Sequence, residues 1–161
     1  MVLPQVATLC LFELAGITYA LPAAQVQEFV RMVAITPLPS APPVIAGFIN
    51  LRSEIIAVVN LRQRFGLPAA HPELSDFLLI AQTTNRKVAL WVDNALGVSQ
   101  LTIKGFTEPE KLSSHTRYLT GVIEAEDDKG SRVILVQDLT TLLTDAENKS
   151  LQHALADEVL P

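Results

Sequence analysis

Arg52 is the side chain best placed for chemistry in this sequence, and the chemistry is recognition. It stands at the bend of residues 47–66, where the apolar runs 48–51 and 55–59 flank the polar trio Arg52, Ser53 and Glu54. A guanidinium held between apolar strands offers a planar fork of donors to a carboxylate or a backbone carbonyl. The plainer role is an arginine solvated at a hairpin tip. Asn50, two residues away, falls on the same strand face. Val26 and Glu28 are a second pair at strand spacing. A valine anchor beside a glutamate suits a small protein contact, the apolar group giving affinity and the charge specificity. Its plainer role is a half-buried strand with a solvated glutamate.

Catalytic chemistry is not assembled anywhere. His71, His115 and His153 lie in separate loops or at a helix end, and none has metal-ligand spacing to another His or Cys. Cys10, inside an apolar run, reads as a small buried residue and not a nucleophile. There is no Gly-x-Ser-x-Gly and no phosphate-cradling glycine loop. Glu126, Asp127 and Asp128 cluster at a turn but lack the alternate spacing and closing glutamate of a calcium loop. Trp91, between Leu90 and Val92, reads as packing. With no acid, base and nucleophile brought together, the chain reads as a non-enzyme without cofactor or metal.

The elements that must position these residues are short strands. The runs 48–51 and 55–59 are rich in β-branched residues, too short for ordinary helices, and read as a tight hairpin. Asn60 caps a short helix over 61–65 that Gly66 and Pro68 end. Before this, 9–14 and 17–21 form a hairpin across Ala15-Gly16, 22–24 a helical turn, and 26–33 a strand. Residues 36–44 carry Pro37, Pro39, Pro42 and Pro43, which makes them an irregular loop. After a loop over 67–75, strands are predicted over 77–82 and 87–93, the second continued by Gly97 and Val98 after a bend, then a short edge strand over 99–103 and a loop over 104–117. A last hairpin pairs 120–125 with 133–137. Asp138 caps 139–143, and Thr144 or Asp145 opens a helix to about 156 with Leu151 and Leu155 on one face. The unit from Gly47 to Asn60-Leu61 is echoed from Gly121 to Asp138-Leu139, each a glycine-led hairpin ending in an Asx-capped helical turn. Many short strands argue for small barrels or a sandwich, and the echo argues for two similar halves.

The bulk properties narrow the class. The 161 residues are 49% hydrophobic and 18% charged, as in a globular chain that buries roughly 70% of its unfolded surface without a metal or disulfide. A net charge of −5 with no basic stripe argues against a nucleic-acid binder. No apolar run nears the ~20 residues of a membrane helix, and the uncharged start lacks the basic residues of a signal peptide. The lone cysteine fits a reducing compartment. Together these point to the cytoplasm.

The stretch Gly47-Phe-Ile-Asn-Leu-Arg-Ser, followed by Ile55-Ile-Ala-Val-Val-Asn-Leu-Arg, resembles the signature of the CheW family of bacterial chemotaxis adaptors. The motifs Phe12-Glu-Leu-Ala-Gly-Ile-Thr-Tyr-Ala-Leu-Pro, Val26-Gln-Glu, Pro37-Leu-Pro, Val88-Ala-Leu-Trp-Val-Asp, Tyr118-Leu-Thr-Gly-Val and Ile134-Leu-Val-Gln-Asp-Leu extend the resemblance over residues 9–143. It implies an all-β fold of two small five-stranded β-barrels packed together, with short helices and a C-terminal helix. The implied domain spans 7–156, with one barrel over about 7–62 plus the chain from about 134, the other over about 63–133, and flexible tails at 1–6 and 157–161. It implies a scaffold joining the cytoplasmic tip of a chemoreceptor to the regulatory domain of a CheA-type histidine kinase, reaching membrane arrays only through partners. On that resemblance, Arg52 with Asn50 serves partner binding, and Val26 with Glu28 lies on the receptor-facing surface. Alternatives are service in a non-flagellar system such as twitching motility, or a small barrel binding single-stranded nucleic acid or oligosaccharide. Three residues depart from the family pattern: Ser53 for the usual glycine, Ala57 for a common proline and Asn60 for a common aspartate. They mark a divergent member and leave open how the turn beside Arg52 is made.

Overall fold

The computed structural model describes residues 5–108 and 119–159. Its first half runs β1 (Val6–Leu14), β2 (Ile17–Pro22), a 3-10 turn (Ala23–Gln25), β3 (Val26–Arg31), β4 (Ile45–Leu51), β5 (Glu54–Asn60) and α1 (Leu61–Phe65). Then follow β6 (Phe77–Gln82), β7 (Lys87–Val92), β8 (Asn94–Thr107), β9 (Leu119–Asp127), β10 (Gly130–Gln137), a 3-10 turn (Leu139–Thr141) and α2 (Asp145–Val159). The expected caps are formed. Asn60 Oδ1 accepts from Gln63 N at 3.3 Å, and Asp138 Oδ1 from Thr140 N at 2.9 Å. Thr144 and Glu147 cap α2 reciprocally, backbone to side chain, at 2.9 and 3.1 Å.

Strands β1-β2-β10-β9-β8 close into a barrel, and β3-β6-β7-β5-β4 form a second five-stranded sheet. Read as β8-β1-β2-β10-β9, the barrel repeats the sheet strand for strand. The parallel pairings fall in matching places, β10 with β2 and β5 with β7. The echo between residues 47–61 and 121–139 is therefore one topology used twice, with the β1–β2 hairpin moved to the front of the chain.

Strand pairing divides the chain elsewhere than expected. Residues 26–92 make one half, and 6–22 together with 94–137 make the other. The expected boundaries grouped hairpins by nearness in sequence, whereas β1 pairs with β8 and β2 with β10 over long separations. The second sheet is edged by β3 and β4. Between them the proline-rich segment supplies only the bridge Thr36 to Phe48, whose two backbone bonds are each 2.8 Å. The sheet nonetheless curls on itself, because its inner core gathers Val30 of β3, Ile49 of β4, Ile56 and Val58 of β5, Leu78 and Ile80 of β6, and Ala89 and Trp91 of β7.

Strand alternation sorts the barrel residues as well. Leu9, Leu11, Leu101, Ile123 and Ile134 fill its interior. Cys10, Phe12, Leu14, Tyr19 and Leu21 face outward into a shared core with Val59, Phe65, Leu79, Leu90 and, from α2, Leu151 and Ala154. Tyr19 stacks between Phe12 and Phe65, with ring centroids 5.7 and 5.1 Å away. Lys104 to Thr107, expected in a loop, belong to the 14-residue β8, whose register shifts at two bulges. Such bulges break the two-residue period that marks a strand in sequence. Gln5 and Val6, expected in a tail, are also held, Gln5 O accepting from Ile103 N at 2.7 Å. The rest of the expected loop, residues 109–117, and His115 lie outside the described residues.

Candidate partner-binding site

The β4–β5 turn has Arg52 at φ 50 and Ser53 at φ 69, between the register pair Leu51 and Glu54. Two central residues at positive φ are the pattern of a type I′ hairpin turn, whose twist matches that of the strands. Serine thus adopts the left-handed conformation that a glycine would take without steric cost. The turn lifts Arg52 out of the strand's alternation, so Asn50 and Arg52 are neighbours on one hairpin tip but not on one strand face. Asn50 is exposed near the end of β4.

The Arg52 side chain is 68% exposed, and its Nη2 pairs with Glu28 Oε1. Glu28 lies on β3, the opposite edge of the sheet, so the pair spans the gap where the two edges carry no strand ladder. Val26 does not share its face. The register skips a residue between Val26 and Glu28, so Val26 sits opposite Ala81 and packs on the shared core, while Glu28 sits opposite Ile80 of the inner core. The structure therefore unites Arg52 with Glu28, places Asn50 beside them on the hairpin, and turns Val26 half-buried to the other face.

Two further residues belong to this rim. Lys87 Nζ, at the start of β7, is 2.9 Å from Glu54 Oε2, at the start of β5. Glu28, Arg52, Glu54 and Lys87 thus alternate in sign along one end of the sheet. Neither Glu54 nor Lys87 carries a sequence signal of its own; only the parallel pairing of β5 with β7 brings them together.

A second polar node lies where the chain crosses between halves. Asp93, linking β7 to β8, accepts from both terminal nitrogens of Arg62 in α1, at 2.7 and 2.8 Å, and from Ala15 N at the β1–β2 turn, at 2.8 Å. The bonds from Arg62 hold the Asp93 carboxyl below its ordinary range, and Asp93 in turn raises the Arg62 guanidinium. Beside it Trp91 Nε1 donates to Asp76 Oδ2 at 2.9 Å. An open recess of about 330 Å³ lies between Arg62, His71, Glu73, Asp76 and Asp93.

Among the described residues no three His, Cys, Asp or Glu side chains gather as metal ligands. Burial pushes the Cys10 thiol up to about 11, far from a reactive thiolate. Of the rim charges Arg52 and Glu54 are exposed and Glu28 and Lys87 half-buried, and all four are mutually paired.

The fold is thus one strand topology used twice, once as a closed barrel and once as a curled sheet with an ion-paired rim. A family model described as CheW-like domain matches residues 8–147, and the chain belongs to that family. The chemotaxis protein CheW of Treponema pallidum (strain Nichols) is 28% identical over 148 residues, covering 88% of this chain and 85% of that protein. CheW of Rhizobium meliloti (strain 1021) is 30% identical over 129 residues, covering 78% of this chain and 79% of that protein. The crystal structure of the scaffolding protein TtCheW from Thermoanaerobacter tengcongensis superposes with a TM-score of 0.74 at 28% identity, covering 88% of this chain and 94% of that one.

Proposed function

We propose that this protein is a non-catalytic adaptor that couples chemoreceptors to a CheA-type histidine kinase in a chemotaxis-like pathway. The observation that carries the reading is the Arg52–Glu28 pair: an exposed guanidinium on a rigid turn, held by a carboxylate it can exchange for a partner's. The kinase regulatory domain meets the hairpin tip at Arg52 and Asn50. The receptor tip meets the β3 edge, at Glu28 on one face of that strand and at the half-buried Val26 on the other. Two weak contacts through adjoining surfaces give a tight assembly by raising effective concentration, without chemistry or cofactor. Among the described residues no helix is long and apolar enough to cross a membrane, so membrane association runs through the receptors. The nucleic-acid reading is not favoured: the chain carries a net charge of −5, and its relatives are chemotaxis proteins.

Calorimetric titration with the regulatory domain of a CheA-type kinase tests the reading. Wild-type protein binds at micromolar affinity or tighter, and Arg52→Ala loses more than ~1 kcal/mol while its unfolding curve is unchanged. Equal affinity in a folded Arg52→Ala variant would remove Arg52 from the interface.

A further inference from the structure

Arg52 has a carboxylate nearer in sequence than the one it uses. Glu54 follows it by two residues, so their Cα atoms stand no more than about 7.6 Å apart, the reach of two trans peptides. Glu28 is 24 residues away and comes within reach only because the sheet curls. Yet Arg52 pairs with Glu28, while Glu54 is engaged by Lys87 at 2.9 Å. Both pairs are partly exposed, with side-chain exposures of 68% and 35% for Arg52 and Glu28, and 31% and 50% for Lys87 and Glu54. Neither pairing is locked by burial.

We propose that Lys87 is a positioning residue for Arg52: by holding Glu54 it leaves the guanidinium to Glu28, and so decides which carboxylates Arg52 can meet. Without the Lys87 charge, Glu54 is free to compete with Glu28 for Arg52 along its own hairpin, and a partner's carboxylate must displace two local carboxylates instead of one. Lys87 thereby acts on partner choice without touching the partner. It favours partners whose acidic group replaces Glu28, and keeps a second local carboxylate, Glu54, off the guanidinium.

This rests on the adaptor reading for its binding test and on the free protein for its independent one. Lys87→Met weakens kinase-domain binding about threefold, the size of one exposed ion pair. Adding Glu54→Gln removes the competitor and restores wild-type affinity, and in an Arg52→Ala background Lys87→Met has no further effect. A Lys87→Met loss that Glu54→Gln does not rescue, or no loss at all, overturns the proposal. If wild-type protein does not bind the kinase domain, the adaptor reading fails, and the inference is decided on the free protein. There the coupling between Arg52→Ala and Glu28→Gln in unfolding free energy falls in Lys87→Met and returns in Lys87→Met/Glu54→Gln. Coupling that Lys87→Met leaves unchanged overturns it.

Discussion

Arg62 and Asp93 meet fork to fork: Nη1 lies 2.7 Å from Oδ1 and Nη2 2.8 Å from Oδ2. Arg62 belongs to the helix that follows β5, and Asp93 is the residue at which the chain leaves the curled sheet for the barrel. The same carboxylate accepts from Ala15 N, and Asp93 N donates to Glu13 O at 3.0 Å, so one residue fixes the β1–β2 turn of the barrel against the helix of the sheet. Planar bidentate pairing sets an angle as well as a distance.

Asp93→Asn leaves the shape but gives up the charge and turns a donor toward Arg62. The Arg62 side chain is only 13% exposed, so its lost partner is not fully replaced by water. Stability to urea falls by about 2 kcal/mol, the cost of losing hydrogen bonds to a charged group. A far-ultraviolet spectrum like the wild type's shows that the strands persist.

Acid acts through the same carboxylate. Asp93 is lowered in the folded state by Arg62. Burial alone would raise Glu147, but the Thr144 amide and Arg64 outweigh it and Glu147 is lowered too. A carboxyl lowered on folding stabilises the protein above its unfolded value, near pH 4, and loses that contribution as pH falls through the folded value. Unfolding free energy therefore drops below about pH 4. The drop is shallower in Asp93→Asn, as denaturant titrations at several pH values would record.

Ser53→Gly stabilises the protein. The serine occupies φ 69 in the β4–β5 turn, where glycine meets no Cβ penalty. Relief of left-handed strain, about 1–2 kcal/mol, exceeds the extra unfolded entropy of glycine. The melting temperature rises by a few degrees, and a fall would mean that the serine holds the turn by some other means.

Gly47→Ala acts in the opposite direction. Gly47 has φ 151, and a Cβ there would meet Thr36 O at 2.3 Å and the Ile35 side chain at 2.8 Å. Thr36 forms the bridge that covers the β4 edge and Ile35 directly precedes it, so the methyl would push that bridge away. The expected loss is about 2 kcal/mol in urea unfolding, as for an overpacked site, with faster amide exchange at Phe48 and Thr36.

Much of the fold was legible because its signals are local. The β-branched runs of β4 and β5, the caps Asn60 and Asp138, and the start of the last helix at Thr144 or Asp145 can each be read within a few residues. The echo from Gly47 to Gly121 pointed to two halves. What pairs with what was not legible: β1 with β8 and β2 with β10 are long-range choices that no periodicity records. The site divided along the same line. Arg52 stood out by its own surroundings, but its partner Glu28, the Glu54–Lys87 pair and the Arg62–Asp93 fork exist only through tertiary pairing. The bulge that separates Val26 from Glu28 is one residue out of register, and two-residue counting placed them on one face for that reason.

The displaced hairpin also sets a timetable. Synthesis delivers β1 and β2 first, then every strand of the curled sheet as one uninterrupted block, and only afterwards the barrel strands that β1 and β2 require. The block from β3 to β7 can condense as soon as it emerges, while the outward row of Cys10, Phe12 and Leu14 can rest on it. The inward row of Leu9 and Leu11 has only Ala7 and Ala20 beside it until β8 to β10 arrive. Between those two moments the nascent chain carries an open seam. It is sealed only when β10 is laid parallel to β2, so the last strand made completes the first hairpin made.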